Sequence, residues 1–383
     1  MKPSTPLTIA LCFLGVLVDA YHLPTSLTDA ADGIKKHGWG RKKKAPVSHE
    51  PPADGNYPKY FHEPQGGQEL QHYDARYHQV TLGHDEKCKT QLHLIQSYLE
   101  FFTSNRLETW LAHGTLLGWW WNARLLPWDW DIDTQVSLET MIHLAENHND
   151  TRYSYTSRTT TEFDPATSKQ VPVARQYHLD VNPAVFTRHR GDGANIIDAR
   201  WIDVRNGLYI DITAVAEISP AHHPGIWACK NYHLYRTRDL WPLRETTYED
   251  ITVRVPYNYN RILSEEYGAG SLVVDEFQGH RWSSADAVWQ KKPPDQIERE
   301  GGVNALNAKW RKMWEKAQQY RVETEAFRTD IYQKDEEARV REQEERELKD
   351  KVKKLQELKE ALKTQAEREQ EEAAAANEER AAE

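Results

Sequence analysis

The sequence predicts an α/β (α+β) domain over about residues 69–295. The first observation is an apolar repeat at spacings of three and four, typical of an amphipathic helix, at Leu92, Ile95, Leu99 and Phe102. The second is a pair of alternating apolar and polar stretches around Asn206-Gly207, a strong signal for a β-hairpin. Helix and strand patterns continue to alternate through this part of the chain, which indicates the mixed class.

The first twenty residues have the features of a signal peptide (1–20). Lys2 gives a positive start, an apolar run extends from Leu7 to Val18, and small or branched residues precede a cleavage site after Ala20. The run is shorter than the roughly 20 residues that a transmembrane helix needs. A cleaved signal peptide is therefore predicted, with an uncleaved Golgi-type membrane anchor as the alternative. Both predict the lumen of the secretory pathway, in the Golgi or on the way to secretion.

Residues 21–68 are predicted to form a disordered linker, because a basic cluster and a part rich in Pro and Gly offer little apolar surface. The chain has three cysteines, and Cys12 lies in the predicted signal peptide. Cys88 and Cys229 either form a disulfide, which an oxidising lumen permits, or stay two separate buried thiols. The sequence leaves both outcomes open.

A short strand and a helix are predicted next. Thr109–Ala112 is apolar, the strand stops at His113, and a helix-like stretch begins at Leu116. Between them, Gly114 allows the backbone to approach a phosphate closely, and the start of the following helix favours an anion. A glycine at such a turn is usually structural. The acids about fifteen residues downstream are what make Gly114 and Thr115 candidates for a phosphate-binding site.

Three aspartates form the strongest chemical signal in the sequence. Asp129, Asp131 and Asp133 alternate with Trp130 and Ile132. Alternate side chains of an extended strand share a face, so three carboxylates would crowd together on one side. Like charges at that spacing repel unless a cation neutralises them, and hard oxygen ligands suit Mg²⁺ or Mn²⁺. The acidic cluster therefore predicts a divalent metal site.

Two other interpretations of the acidic cluster have less support. A calcium loop of the EF-hand type needs Gly at its sixth position and Glu at its twelfth, where this sequence has Thr134 and Thr140. A solvated acidic edge is the second interpretation. Exposed charge runs, however, rarely carry Trp and Ile between their acids.

Asp211 lies in an apolar strand and is a further candidate ligand. A two-residue turn at Asn206-Gly207 would pair Ile202 with Asp211 and place both on one face, with Asp203 on the other. A carboxylate buried among apolar side chains is costly without a partner. Either a metal ion held by the acidic cluster or a nearby arginine would be that partner.

Other residues carry weaker signals. Scattered histidines such as His72, His78 and His84 are more often solvated than ligands. The run Trp119–Trp121 is more often packing than a platform for sugars. The net charge of -10 gives no reason to expect binding to nucleic acid, whose phosphates demand a basic surface.

Residues 296–383 are predicted to form a helical tail rich in Glu and Lys. A thin heptad-like seam, too short for three clean heptads, runs through Leu348, Val352, Leu355 and Leu362. A long, solvated, charged helix and a coiled coil both remain open. A tail of this kind offers a surface for a protein partner.

Taken together, HGTLLGWWW (113–121) and LPWDWDID (126–133) resemble the signature of the LicD family. YIDIT (209–213) and the segment 241–268 resemble later parts of the same family. The resemblance covers roughly residues 85–285. It implies a nucleotidyltransferase-like fold, in which a mixed sheet is flanked by helices.

The resemblance also assigns roles to individual residues. The resemblance places three residues at the phosphates of a nucleotide, namely Gly114, Thr115 and Gly118. The resemblance places four aspartates at a divalent metal ion, namely Asp129, Asp131, Asp133 and Asp211. Asp131, Asp133 and Asp211 are the candidate catalytic residues, with Asp211 acting either as a ligand or as the base that takes the acceptor proton.

Within this family, Trp119–Asn122 and the charged tail are most similar to fungal proteins required for mannosylphosphorylation of cell-wall glycans. The similarity implies transfer of mannose-1-phosphate from GDP-mannose to a glycan. Two alternatives remain. One is a glycosyltransferase that uses a nucleotide-sugar, and the other is a non-catalytic regulator whose tail recruits the true transferase.

Overall fold

The structure is a computed structural model that describes residues 57–305, 307, 308, 311 and individual positions between 334 and 354. The helices within 57–300 are α1 (His84–Ser104), α2 (His113–Asn122), α3 (Leu138–Asn147), α4 (Thr237–Leu240), α5 (Tyr259–Tyr267) and α6 (Pro294–Arg299), with 3-10 turns at Gln68–His72, Pro183–Phe186 and Ala269–Leu272. The strands are β1 (Trp110–Leu111), β2 (Asp133–Ser137), β3 (Thr151–Asp164), β4 (Lys169–Val181), β5 (Ala199–Asp203), β6 (Tyr209–Glu217), β7 (Ile226–Ala228), β8 (Leu234–Arg236), β9 (Arg244–Tyr248), β10 (Ile251–Val255), β11 (Glu276–Phe277), β12 (His280–Ser283) and β13 (Val288–Lys291).

Eight strands form a central sheet in the order β1-β2-β6-β5-β4-β3, with β7 paired to β6 and β8 paired to β7. β2 and β6 run parallel, and the other neighbours run antiparallel. Among the described strands, β9 and β10 form a separate hairpin, and β11, β12 and β13 form a small sheet. This mixed sheet with helices around it confirms the predicted α/β (α+β) class.

The predicted first helix is confirmed as α1, and a buried stripe attaches it to the central sheet. The stripe recurs at spacings of three and four and includes Lys87, Thr90, Gln91, Leu94, Ile95, Tyr98, Phe101 and Phe102. Its apolar members join one hydrophobic core with Trp201 of β5 and Tyr177 of β4. Each large apolar side chain buried in this way contributes about 1.5–3 kcal/mol. The stripe therefore holds α1 on the sheet.

The two faces of the central sheet differ in character. Trp201 on β5 and Thr134 on β2 hydrogen-bond to side-chain hydroxyls of α1, at 3.0 and 2.9 Å respectively, so both point toward that helix. Successive residues along a strand point to opposite faces. Arg200 and Asp133 therefore point away from α1, and the opposite face carries the charged residues described below.

The predicted hairpin forms between β5 and β6, but its predicted register is wrong by two residues. Arg200 pairs with Asp211, where a two-residue turn would have paired Ile202 with it. The connection is longer because the Asp203 N–H donates to the Leu208 carbonyl oxygen (2.8 Å) and closes a four-residue loop. A shift of two residues keeps every side chain on its face. Asp211 therefore still lies on the face that the sequence predicts.

Residues 57–68, the last part of the predicted linker, pack onto the central sheet. The Phe61 side chain is buried, and Glu63 forms an ion pair with Arg200 (2.7 Å). The Tyr60 hydroxyl donates to a carboxylate on β4 at 2.8 Å. Two aromatic rings and one acid therefore contribute to attaching this segment, despite its Pro- and Gly-rich surroundings.

Several predicted features lie outside the described residues. These are the signal peptide (1–20), the linker up to residue 56 and the four residues of the heptad-like seam, Leu348, Val352, Leu355 and Leu362. The tail positions described between 334 and 354 are helical. Where the structure describes the chain, no helix has both the length and the apolar character to cross a bilayer.

The two cysteines beyond the predicted signal peptide are separate free thiols. Cys88 lies on α1 and is half-buried, whereas Cys229 follows β7 and is buried. Of the two outcomes that the sequence leaves open, the structure has the separate thiols.

Candidate functional site

A row of charged side chains crosses the central sheet on the face away from α1. Asp133 on β2 is paired in register with Asp211 on the parallel strand β6. Asp211 is paired with Arg200 on β5, which is paired in turn with Asp180 on β4. Neighbouring strands lie about 4.8 Å apart, so these four residues, the charged row, are consecutive neighbours. Pairing of β2 with β6 thus brings together two candidate ligands from distant parts of the sequence.

Asp129 and Asp131 lie in the segment that leads into β2, and α1 holds the backbone of this segment. Lys87 Nζ donates to the Asp129 carbonyl oxygen (2.5 Å), and Gln91 Nε2 donates to that of Trp130 (3.0 Å). The Lys87 ammonium also lies over the Trp130 ring, 4.8 Å from its centroid. The sequence analysis missed Lys87 and Gln91. Their signal was available, because both are polar residues within the buried stripe of α1.

Burial and mutual repulsion raise the pKa of three aspartates. Burial, and next the charge of Asp131, raise the pKa of Asp129 to about 6. Burial raises the pKa of Asp133 well above its usual value, and the charges of Asp131 and Asp211 add to this effect. Burial also raises the pKa of Asp211, although Arg200 opposes the rise. Carboxylates in such surroundings are stabilised by a cation that binds between them.

Asp131 has a partner that the sequence analysis set aside. His72 Nδ1 contacts Asp131 Oδ1 directly. Burial disfavours the protonated ring, but this contact and the charges of Asp129 and Asp211 outweigh burial and raise the pKa of His72. His72 ends the 3-10 turn Gln68–His72, and its distance along the chain from the acids explains why no sequence pattern connects them.

Asp211 is paired with an arginine, one of the two partners that the sequence leaves open. Arg200 Nε donates to Asp211 Oδ1 (2.8 Å), and Nη2 donates to Glu63 Oε1 (2.7 Å). The guanidinium lies 3.7 Å from the centroid of the Tyr209 ring and 4.7 Å from that of Phe61. The orientation of Asp211 is therefore fixed by a buried arginine, which is itself held from both sides.

Two of the three residues predicted at nucleotide phosphates have structural contacts. Thr115 Oγ1 accepts a hydrogen bond from the Asp133 backbone N–H (2.9 Å), which ties the start of α2 to β2. A Cβ added at Gly118 would lie 2.6 Å from the Arg124 carbonyl oxygen, so the following loop can approach α2 only because this residue is glycine. These contacts bring α2 alongside the aspartates.

Gly114 lies directly beside the acidic cluster, where an added Cβ would be 2.7 Å from Asp129 Oδ2. Gly114→Ala is therefore expected to displace the Asp129 carboxylate and to weaken Mn²⁺ binding by about 10- to 100-fold, as loss of a supporting contact does. Titration with Mn²⁺ followed by electron paramagnetic resonance measures this. Gly67→Ala is the control, because an added Cβ there meets nothing within 4 Å. Equal Mn²⁺ affinity in both variants would contradict the prediction.

A second group of metal-binding side chains lies beside the start of α2. His113 begins α2, His233 precedes β8 and Glu266 lies on α5, and one donor atom of each is within 4.8 Å of the other two. His113 Nδ1 contacts Glu266 Oε1, and His233 Nε2 lies 3.7 Å from the same oxygen. Over the described residues, no three of the aspartates bring their donor atoms this close. Two of these aspartates instead contact basic side chains, Asp131 a histidine and Asp211 an arginine.

Residues 106–258 match the family model described as "LicD/FKTN/FKRP, nucleotidyltransferase domain". This range contains the acidic cluster, Asp211 and the glycines at the start of α2.

Two curated proteins of Saccharomyces cerevisiae are similar to the chain. Mannosyltransferase regulator 4 is 34% identical over 151 residues, which are 39% of this chain and 12% of that protein. Mannosyltransferase regulator 14 is 31% identical over 156 residues, which are 39% of this chain and 15% of that protein. The similarity thus spans less than a sixth of the length of either relative.

Proposed function

We propose, from the match of residues 106–258 to the LicD family model, that the chain is a metal-dependent transferase for a phosphate-linked sugar. The donor is a nucleotide-sugar, GDP-mannose, and the group transferred to a glycan is mannose-1-phosphate. The names of the two similar yeast proteins support a role in mannosylation.

The observation that carries the proposal is the pairing of Asp133 with Asp211 on parallel strands, with Asp131 and Asp129 just before β2. The raised pKa values of Asp129, Asp133 and Asp211 support cation binding, because a divalent ion relieves the repulsion that raises them. All four side chains offer hard oxygen donors, which fit Mg²⁺ or Mn²⁺.

Asp131 and Asp133 would hold the ion, with Asp129 and Asp211 as further ligands. The ion would offset the negative charge that develops on the leaving nucleotide phosphate. The acceptor hydroxyl attacks the phosphorus next to mannose, and the bond to guanosine monophosphate breaks. As a base, Asp211 would take the hydroxyl proton at Oδ2, because Oδ1 already accepts a hydrogen bond from Arg200. His72 would orient Asp131 in the same way that Arg200 orients Asp211.

We place this chemistry in the secretory pathway lumen, which the chain would enter by means of residues 1–20, and we assign the catalytic domain to residues 69–295. The predicted linker (21–68) and the tail (296–383) would flank it. The charged tail would serve as the surface for a protein partner.

Transfer from labelled GDP-mannose to an oligomannose acceptor tests the proposal, with purified full chain and either Mg²⁺ or Mn²⁺. The expected product is a glycan that has gained mannose and phosphate together. A product with mannose and no phosphate would identify a nucleotide-sugar glycosyltransferase. Absence of any transfer with either ion would contradict the catalytic proposal.

A non-catalytic regulator is the second candidate function, and the word "regulator" in the names of both relatives favours it. Complementation of a fungal strain that lacks mannosylphosphate on its glycans separates the two functions. A regulator that acts through its tail would fail after deletion of residues 330–383 and would tolerate Asp131→Ala. A catalyst would fail with Asp131→Ala.

A further inference from the structure

We infer that His113, His233 and Glu266 form a second cation site, which takes a transition-metal ion of the Zn²⁺ class. This inference goes beyond the proposed function and does not depend on it. The three side chains come from α2, from the segment before β8 and from α5, and their donor atoms converge within 4.8 Å. Convergence of two imidazoles and one carboxylate from distant parts of the chain is the geometry that a metal site requires.

The donor set identifies the class of ion. Imidazole nitrogens suit Zn²⁺ and related transition metals, whereas carboxylates alone suit Mg²⁺, Ca²⁺ or Mn²⁺. Two histidines and one glutamate, with a fourth position open to water, are a known zinc ligand set. The site at His113 and the acidic cluster therefore select different ions.

The distances require small adjustments for metal binding. Ligands about 2.0–2.1 Å from a tetrahedral zinc ion lie about 3.3 Å from one another. His233 Nε2 is 3.7 Å from Glu266 Oε1, and His113 Nδ1 contacts that same oxygen more closely. Side-chain rotations that move the His113 ring away from the Glu266 carboxylate and the His233 ring toward it would bring both spacings to this value.

The surroundings orient the ligands and leave them accessible. His233 Nδ1 lies 3.2 Å from the Cys229 sulfur, and an N–H at Nδ1 that donates to this sulfur leaves the Nε2 lone pair directed toward Glu266. Relative exposures are 13% for His113, 13% for His233 and 11% for Glu266. An ion and one water molecule can therefore reach the site, while bulk solvent is mostly excluded.

Binding of Co²⁺ to the untagged, metal-stripped full chain tests this inference, because tetrahedral Co²⁺ gives visible absorption that Mg²⁺ does not. We expect one equivalent to give this tetrahedral absorption and to be displaced by Zn²⁺. Loss of a contact outside the ligands lowers metal affinity by about 10- to 100-fold. His233→Ala removes a ligand and is expected to lower Co²⁺ affinity by more than this. His233→Gln, which keeps most of the volume, should do the same with an unchanged circular dichroism spectrum.

Two control variants should bind Co²⁺ as the wild type does. His222→Ala removes an exposed histidine that hydrogen-bonds to Ser219, and Asp131→Asn changes the acidic cluster. Wild-type absorption in His233→Gln, or weaker binding in Asp131→Asn alone, would overturn the inference and place the ion elsewhere. No binding to the wild type would also overturn it. Loss of glycan transfer with Co²⁺ still bound would count only against the proposed function.

Discussion

Asp133→Asn is expected to reduce glycan transfer by about 10³-fold or more, because it removes a charged ligand and keeps its shape. Asp133 is the aspartate whose pKa burial and neighbouring carboxylates raise most clearly, so its charge destabilises the metal-free fold. The asparagine variant should therefore unfold at the same temperature as the wild type or at a higher one. Transfer assays with saturating Mn²⁺ and thermal unfolding without metal measure the two effects.

Opposite effects on activity and stability separate a functional charge from a structural one. Asp295→Asn is the matched control, since Asp295 is exposed. Within the described chain its one ion pair is with Arg299. This control should leave both measurements unchanged. An Asp133→Asn variant that transfers at the wild-type rate would contradict the role proposed for the charged row.

Asp198→Asn is expected to destabilise the fold by about 3–5 kcal/mol, the cost of breaking a buried ion pair. Asp198 is fully buried and pairs with Arg188 (2.7 Å) and Lys230 (2.9 Å). Its second oxygen accepts a hydrogen bond from the Ala214 N–H (2.8 Å). Without this charge, the buried Lys230 ammonium would keep only carbonyl partners. Urea unfolding at pH 7 measures the loss.

A double variant tests the explanation. Adding Lys230→Met to Asp198→Asn removes the ammonium that the first change leaves unpaired, so part of the lost stability should return. If the double variant is no more stable than Asp198→Asn, the cost does not arise from the stranded charge.

The same ion pair predicts a pH dependence of stability. Burial disfavours the charged form of Asp198, but Arg188 and Lys230 outweigh it and lower its pKa. Above about pH 5 the carboxylate is ionised in both the folded and the unfolded chain, so its contribution is complete. Below that pH the unfolded chain takes up the proton first, and the contribution is lost as the pH falls toward the folded pKa. The stability difference between wild type and Asp198→Asn should therefore be smaller at pH 3.5 than at pH 6. Equal differences would contradict this assignment.

Local pattern was enough to predict the strand that carries Asp211, whereas the strand predicted for the three alternating acids begins only at the last of them, Asp133. The alternation of acids with Trp130 and Ile132, and the apolar strand around Asp211, come from nearest-neighbour sequence alone. The register of the hairpin could not be predicted in this way. Gly207 has a φ of 90° and approaches the backbone around His78, where an added Cβ would be 2.9 Å from the His78 nitrogen. This contact comes from the N-terminal segment, which the turn residues themselves do not reveal.

The partners of the acids depend on tertiary contacts. His72 reaches Asp131 from 59 residues away, and His113 meets Glu266 across 153 residues. No short-range periodicity relates positions so far apart. Lys87 is the exception, because a charged residue in the buried stripe of α1 already signals an unusual environment.

The order of charges in the charged row has a kinetic consequence for the proposed reaction. Asp133 and Asp211 are adjacent and both negative, whereas Arg200 lies one strand further along and is already engaged by two carboxylates. A diphosphate arriving at this end of the row would meet net repulsion. The cation is therefore expected to enter before the donor, and initial rates at varied Mn²⁺ and GDP-mannose should follow an ordered scheme with the ion first.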